Sequence, residues 1–595
     1  MLSNGLIGGL IGRGLALAGL LFSFAVVPAA TAADSPVGSG NVAVADPEVP
    51  RPPGTPCVVQ LFSDDTFNDF ATRPFSYTPP SGCGGEGQHW SKVVLEADFS
   101  VTAGIQFDRT ATIWLGGVNL YFGTTQEPGK ALAPSWHVER DLTDYSALLR
   151  QAGQGQAIIG NVVNSTYTGV IHGSARLLFY PASPFARPGR LPDAVYPLGS
   201  DPVGSTVTLS NSSAQLTKTL SLPANVERAY LDVFTQSQNA DEFWYTCVPD
   251  QYAAQVQECG GGNFREAEIS IDGQAAGVAP VYPWIYSGGI DFYLWEPTTG
   301  VQTLNFMPYR VDLTPFAGVL SNGTPHTVAV SVAGANNYFS ATASLLVYLD
   351  PFARHVGGGI VRNTLQGQAP TPTIASTVST DASGNVTGDI TTKLSRHFVI
   401  EGYADTSLGR VQHRVEGSVG FDDTQSFNIA GPSYNQISSQ ITTAESHSRS
   451  SIGPLVTADY REQVRYPLRV NYTQVTAADG SIAATTSTHQ GFEKSEEHGA
   501  GETLYSAHVY NTVDSGDTLD LNAGFHVTGH SGQHSTQSFE FDDSLGGCYR
   551  SSVEAADDLV TRYDSGNGCP GRSNRLYWFS HPDGSPDDGD GIPGW

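Results

Sequence analysis

The sequence predicts an all-β protein: two tandem jelly-roll β-sandwiches followed by a C-terminal β-rich domain. Three observations carry this. Short alternating segments such as KVVLEADF (92–99), ERAYLDVF, AEISIDG, HTVAVSV and ASLLVYL recur between Gly, Pro, Asn and Asp, and helical periodicity is confined to the brief SALLRQAG. Charged residues are only 15% of the chain while Gly, Ser, Thr and aromatics are plentiful, a composition that fits an all-β extracellular protein. Third, the chain repeats itself. FDRTATI (107–113), QEP at Glu127, RDLTDYSALL (140–149) and ARLLFYP (175–181) are echoed by FREAEIS (264–270), WEP at Glu296, VDLTPFAGVL (311–320) and ASLLVYLDP (343–351). Four matches in one order at nearly one spacing indicate a duplicated unit. Each copy is the size of one eight-stranded sandwich.

In chain order, residues 1–32 read as a secretory signal peptide. Arg13 precedes the apolar run LALAGLLFSFAVV, and Ala30-Thr31-Ala32 offers a small-residue cleavage site. Residues 33–52 are expected to be a linker. The first jelly-roll module is placed at 53–182 and the second at 183–352, with the Pro-rich stretch PASPFARPGRLPDAVYPLGSDP as the connection between them. Asp272-Gly273 reads as a hairpin turn. Residues 353–595 form a third, β-rich domain without a copy of the repeat, ending in a flexible acidic tail.

A formal net charge of −28 argues against nucleic acid as a partner, because phosphate binding needs a basic surface. No later apolar run is long enough to cross a bilayer, so the cleaved protein is expected off the membrane, secreted or periplasmic, and acting as a monomer. The six cysteines fall into close pairs, Cys57/Cys83, Cys247/Cys259 and Cys548/Cys569. Local pairing is the simplest of the possible connectivities in an exported chain. No cofactor and no metal are expected: there is no C-x-x-C, and the Gly residues among His526, His530 and His534 favour solvent-facing imidazoles. The DDGDG near the C-terminus lacks the later Glu of a calcium loop.

The stretch GIQFDRTATIWLGG (104–117) reads as a strand entered by the pair Asp108-Arg109. Alternation puts Phe107, Ala111, Ile113 and Leu115 on one face, and Asp108, Thr110, Thr112 and Trp114 on the other, a face bound for solvent or for a site. In the second copy Arg265-Glu266 holds the matching position.

FDRTATIWLGGVNL, WHVERDLTDYSALL, GNVVNSTYTGVIHG, DEFWYTCVPD, GGGNFREAEISIDGQAAG and PVYPWIYSGGIDFYLWEP together resemble the plant-type peptide-N-glycosidase A family, over about residues 55–350. The resemblance implies an amidase that hydrolyses the bond between an N-linked glycan and asparagine in glycoproteins or glycopeptides, giving aspartate and a glycosylamine. A more distant resemblance is to the F-type bacterial peptide-N-glycosidase, built of two jelly rolls. Its catalytic Asp lies in a W-D-R strand opening, which Phe107-Asp108-Arg109 matches, so Asp108 inherits the catalytic role and Arg109 a supporting, substrate-binding one. A second carboxylate of that enzyme falls on Asn161, read here as substrate-binding. A third falls on Gly261, and Glu242 is the candidate to replace it, with Asp241 and Glu266 behind it.

The chemistry agrees with these residue types. Amide hydrolysis needs a base for water and an acid for the leaving nitrogen, two roles that carboxyls in different environments can divide. Asp108 beside Arg109 suits the base, and Glu242 beside Phe243 and Trp244 suits the acid. Trp114, Trp244, Tyr245 and Trp284 are expected to stack on sugar rings. Glu127 and Glu296, each before Pro in both copies, suit a scaffold role. Two rival readings are a carboxylate-pair glycoside hydrolase and a glycan-binding module.

Overall fold

The structure is a computed structural model that describes residues 37–83 and 89–587. The expected signal peptide, residues 1–32, and the acidic end from residue 588 onward lie outside the described residues.

The first sandwich is built from β1 (Cys57–Phe67), β2 (Arg73–Tyr77), β3 (Trp90–Val101), β4 (Thr110–Leu115), β5 (Val118–Thr124), β6 (Ser135–Asp141), β7 (Gly153–Ile159) and β8 (Ile171–Pro181). Its sheets run β1-β8-β3-β6 and β2-β7-β4-β5, antiparallel throughout. That interleaved order is a jelly roll. The second sandwich repeats it with β10 (Val207–Leu209), β11 (Leu216–Leu220), β12 (Val226–Ser237), β13 (Glu266–Ile271), β14 (Gln274–Pro280), β15 (Tyr309–Asp312), β16 (His326–Ala333) and β17 (Phe339–Leu349), ordered β10-β17-β12-β15 and β11-β16-β13-β14. The repeated motifs occupy equivalent places: before β4 and β13, after β6 and β15, and within β8 and β17. Asp272 and Gly273, both at positive φ, turn β13 into β14 as the Asp-Gly pair predicts. The three cysteine pairs are joined locally, Cys57–Cys83, Cys247–Cys259 and Cys548–Cys569.

Two connections differ from expectation. The Pro-rich connection between the sandwiches contributes β9 (Ala194–Pro197), which pairs with β17 as a fifth strand. The stretch expected as a linker at 33–52 is packed where it is described. Ala45 is fully buried, its N–H donates to Gln537 Oε1, and Val49 N–H donates to Glu139 Oε2.

The sandwiches pack as one unit. Every residue of β5 is buried, because this strand has no solvent face. Tyr121 points into the first core, against Phe99, while Phe122 points into the second, 5.6 Å from Phe234. Tyr121 Oη donates to the Leu304 carbonyl and Thr124 Oγ1 to the Thr303 carbonyl, tying β5 to the long loop between β14 and β15.

The C-terminal region is a twelve-stranded antiparallel sheet whose long central strands follow one another as a meander from Val386 to Ser565. Its buried face is rich in glutamine, for a physical reason. The loops it covers expose backbone groups that water cannot reach, and each must be paired. Gln425 donates to the Cys247 carbonyl and Gln436 to that of Thr246. Gln490 donates to the Pro283 carbonyl and accepts from Val301 N–H, and Gln533 donates to the Glu296 carbonyl. All four carbonyls lie in the two long loops of the second sandwich that approach Asp108.

Candidate active site

Asp108 precedes β4, which starts at Thr110 rather than at the charged pair. The segment is held from behind by Asn161, which is fully buried. Asn161 Nδ2 donates to the Phe67 and Gly169 carbonyls, its Oδ1 accepts from Gln106 Nε2, and Gln106 also donates to the Phe107 carbonyl. Arg109 pairs its backbone with Thr125, its N–H donating to Oγ1 and its carbonyl accepting from Thr125 N–H. Its guanidinium lies 5.7 Å from the Phe107 ring, and Phe107 lies 5.0 Å from Tyr167.

Two carboxyls, Asp108 and Glu127, lie together here, and a third, Glu242, is near enough to feel the Asp108 charge. Asp108 N–H donates to Glu127 Oε2 at 3.2 Å. Asp108 Oδ2 accepts from Gly288 N–H, also at 3.2 Å, across from the second sandwich. Ser287 fastens the junction, its Oγ accepting from Glu127 N–H and donating to the Thr125 carbonyl. Gly288 leaves room for this carboxylate: a Cβ there would lie 2.1 Å from Glu127 Oε2, so any larger residue would have to displace it. The third carboxyl is Glu242, half-buried and without a hydrogen-bond partner among the described residues. It closes a 3-10 turn, Asn239–Asp241, that follows β12.

The pKa values follow from these surroundings. Burial holds Asp108 above the usual carboxylate range, and the Gly288 N–H and the Arg109 charge offset this only in part. Glu127 is pushed well up by burial and then by the Asp108 charge. Glu242 is pushed up to about 8 by burial and then by the Asp108 charge, with no cation or donor to oppose it. Its charge also helps raise Tyr245 and Tyr286. Asp108 is thus the member of the cluster best equipped to ionise, and Glu242 stays protonated across neutral pH.

Several expected site residues do other work. Asp241 is corrected from a catalytic to a structural residue. It pairs with Arg265 at 3.0 Å with both side chains buried, and accepts the N–H groups of Asn336, Asn337 and Tyr338. This anchors the turn that presents Glu242, which the Cys247–Cys259 disulfide closes further along. Glu266 is likewise corrected: it is fully buried in an ion pair with Arg396 of the C-terminal sheet. Asn161 positions the Asp108 segment rather than meeting substrate. The stacking role of four aromatics is also overturned, since Trp114, Trp244, Tyr245 and Trp284 are at most 5% exposed. Trp114 donates to Thr112 and fills the space above Gly204, where a Cβ would meet the indole at 2.6 Å. The face carrying Thr110 and Trp114 is neither solvent nor site but the interface between sandwiches, where Gln236 and Gln238 donate to Thr110 Oγ1. Two half-buried rings lie nearby in the chain's fold: Phe107, next to Asp108 in sequence, and Tyr167, 5.0 Å from Phe107. His530 is not solvent-facing: it stacks on Tyr293 at 3.5 Å between Asp517 and Asp558. A cavity of about 620 Å³ lies elsewhere, between residues 41–51 and the first sandwich, and includes neither Asp108 nor Glu242.

Glu127, Ser287 and Gly288 are the positions packed around Asp108 that residue patterns missed. The repeated Glu-Pro marked Glu127 as a scaffold residue, but nothing local placed it on Asp108. Ser287 and Gly288 carry no signal of their own.

A family model described as Peptide N-acetyl-beta-D-glucosaminyl asparaginase amidase A matches residues 47–364, just over half of the chain. The chain belongs to this family. Asp108, Glu127, Glu242 and Gly288 all fall within the matched residues. The Peptide-N4-(N-acetyl-beta-glucosaminyl)asparagine amidase A of Prunus dulcis is 30% identical over 387 residues, which span 62% of this chain and 66% of that relative, just under two thirds of its length. Among solved structures, N-glycanase F (PNGase F) is 14% identical with a TM-score of 0.33, covering 50% of this chain and 96% of that one. PNGF-II is 13% identical with a TM-score of 0.34, covering 49% and 66%.

Proposed function

We propose that this protein is an amidase that hydrolyses the bond between an N-linked glycan and an asparagine side chain of glycoproteins or glycopeptides, giving aspartate and a glycosylamine. Membership of the family supports the substrate class. The observation that carries the reaction is that two carboxyls, both raised by burial, influence each other from unlike surroundings: Asp108 of the first sandwich has the Gly288 N–H and the Arg109 charge to favour its ionised form, and Glu242 of the second has neither. Ionised Asp108 takes a proton from a water as its oxygen bonds to the amide carbon. The carbon–nitrogen bond then breaks, and protonated Glu242 gives its proton to the leaving nitrogen. General acid–base assistance of this kind is worth about 10²–10⁴ in rate. Gly288 N–H orients Asp108 from across the interface, Glu127 holds its backbone, and Phe107 and Tyr167 offer rings to the sugar.

We further place the protein in a secreted or periplasmic setting. Three disulfides fit an oxidising compartment, and among the described residues no helix is long and apolar enough to cross a membrane. The test is product analysis of a treated glycopeptide. Aspartate at the former glycosylation site supports the amidase. An N-acetylglucosamine left on asparagine identifies a glycoside hydrolase, and binding without turnover identifies a glycan-binding module.

A further inference from the structure

Far along the chain from Asp108, the C-terminal sheet holds a group of side chains that the proposed reaction does not use. Glu496 and His498 sit two residues apart in the strand Ile482–Gly499, so both point to the sheet's buried face. The final described segment, residues 577–587, folds back over that face and brings Asp587 to them. One ligand atom from each of Glu496, His498 and Asp587 lies within 4.8 Å of the others. His498 Nε2 stands 3.8 Å from Glu496 Oε1 and 3.8 Å from Asp587 Oδ2.

The histidine is the telling member. Its side chain is 1% exposed, yet neither ring nitrogen has a hydrogen-bond partner among the described residues. The ring is fixed edge-on between Tyr460 and Tyr505, at 4.8 and 5.4 Å, so it cannot swing away to find one. A buried imidazole is ordinarily satisfied on at least one side. Here it faces two carboxylate oxygens beyond hydrogen-bond reach. Zinc binds imidazole nitrogen and carboxylate oxygen at about 2.0–2.2 Å, which sets tetrahedral neighbours about 3.3–3.6 Å apart. The two histidine–carboxylate spacings need to contract by only a few tenths of an ångström, and the two carboxylates, which lie within 4.8 Å of each other, by no more than about 1.5 Å. Lys494 lies 3.0 Å from the other oxygen of Glu496 and 3.4 Å from Glu462, so it holds the carboxylates without filling the space between the three ligands.

We propose that Glu496, His498 and Asp587 form a zinc site that pins the C-terminal segment, residues 577–587, onto the large sheet. Three protein donors leave a fourth position for water, and mixed nitrogen and oxygen donors favour zinc over calcium. The site's role is architectural: it joins the end of the chain to the platform beneath the catalytic loops.

The test uses the full-length, untagged protein, stripped with a chelator and desalted. Added Zn²⁺ should bind with one equivalent surviving gel filtration and should raise the melting temperature. Co²⁺ in its place should give the visible absorption of a four-coordinate site. His498→Ala and Asp587→Asn should each lose that equivalent, the absorption and the melting shift. Asp587→Asn lies outside the sheet, so it keeps the test valid even if the histidine variant folds poorly. A wild-type chain that retains no stoichiometric zinc, or an Asp587→Asn variant that binds as wild type does, overturns the assignment and leaves an ion-paired cluster.

Discussion

Asp108→Asn separates chemistry from architecture at this site. Asparagine keeps an oxygen to accept the Gly288 N–H and leaves the backbone bond to Glu127 intact, so the junction between sandwiches should survive. What it loses is the ability to take a proton from water. General-base loss predicts a fall of about 10²–10⁴ in kcat, equivalent to about 3–5 kcal/mol of barrier. Stability should move the other way. Asp108 is half-buried near two other carboxyls, and its charge is the second cause, after burial, of the raised pKa of Glu242. Without that charge Glu242 should titrate lower than about 8, and each unit it falls returns about 1.4 kcal/mol wherever it is ionised. The assay is glycan release from a glycopeptide, with melting temperature measured on the same samples. A surface ion pair would contribute only about 0–1 kcal/mol and leave the rate untouched. A variant that melts as wild type does and keeps most of its activity refutes the reasoning.

Other outcomes follow from the same contacts. Gly288→Ala should abolish activity in a folded protein, because the new Cβ would displace the Glu127 carboxylate; normal turnover would show that this contact is dispensable. Phe107→Ala should raise KM with little change in melting, whereas Trp114→Ala should cost about 3–5 kcal/mol of stability, as deleting a fully buried ring does. The reverse pattern would restore Trp114 as a sugar platform. Melting temperature should fall between about pH 4.5 and 8. Glu242, Asp291 and Glu296 are each raised to about 8, chiefly by burial, so the native state binds more protons than the unfolded chain in that window. Their stabilisation is full below the unfolded values and lost as pH rises through the folded ones. A melting temperature that climbs from pH 5 to 8 would contradict those assignments.

The parts of this account that were legible in the sequence are those that depend on local pattern. Alternating strands, the duplicated motifs and nearby cysteine pairs led to two jelly rolls and three local disulfides. Asp108 became a candidate in the same way, because the Phe107-Asp108-Arg109 motif that carries the resemblance is local too. What could not be read depends on contacts between distant segments. Aromatic residues beside a candidate site read equally well as sugar platforms or as core. Trp114 and Trp244 proved to be core because the sandwiches and the C-terminal sheet cover them, and burying so much apolar surface outweighs any use at the surface. Asp241 and Glu242 are adjacent and chemically alike, yet one is consumed by Arg265 and three backbone N–H groups while the other is left unpaired. Only the fold of the loop distinguishes them. The glutamine-lined face of the C-terminal sheet was hidden for a similar reason: glutamine in a strand looks solvated until the loop it serves is known.

The measurement that bears most directly on the central claim is hydrolysis of a defined N-glycopeptide in heavy-oxygen water, followed by mass spectrometry of the peptide. Water attacking the amide carbon places one heavy oxygen in the side chain of a newly formed aspartate, with the whole glycan released, and Asp108→Asn run alongside should yield almost none of this product. A peptide that keeps an N-acetylglucosamine on unlabelled asparagine would contradict the account.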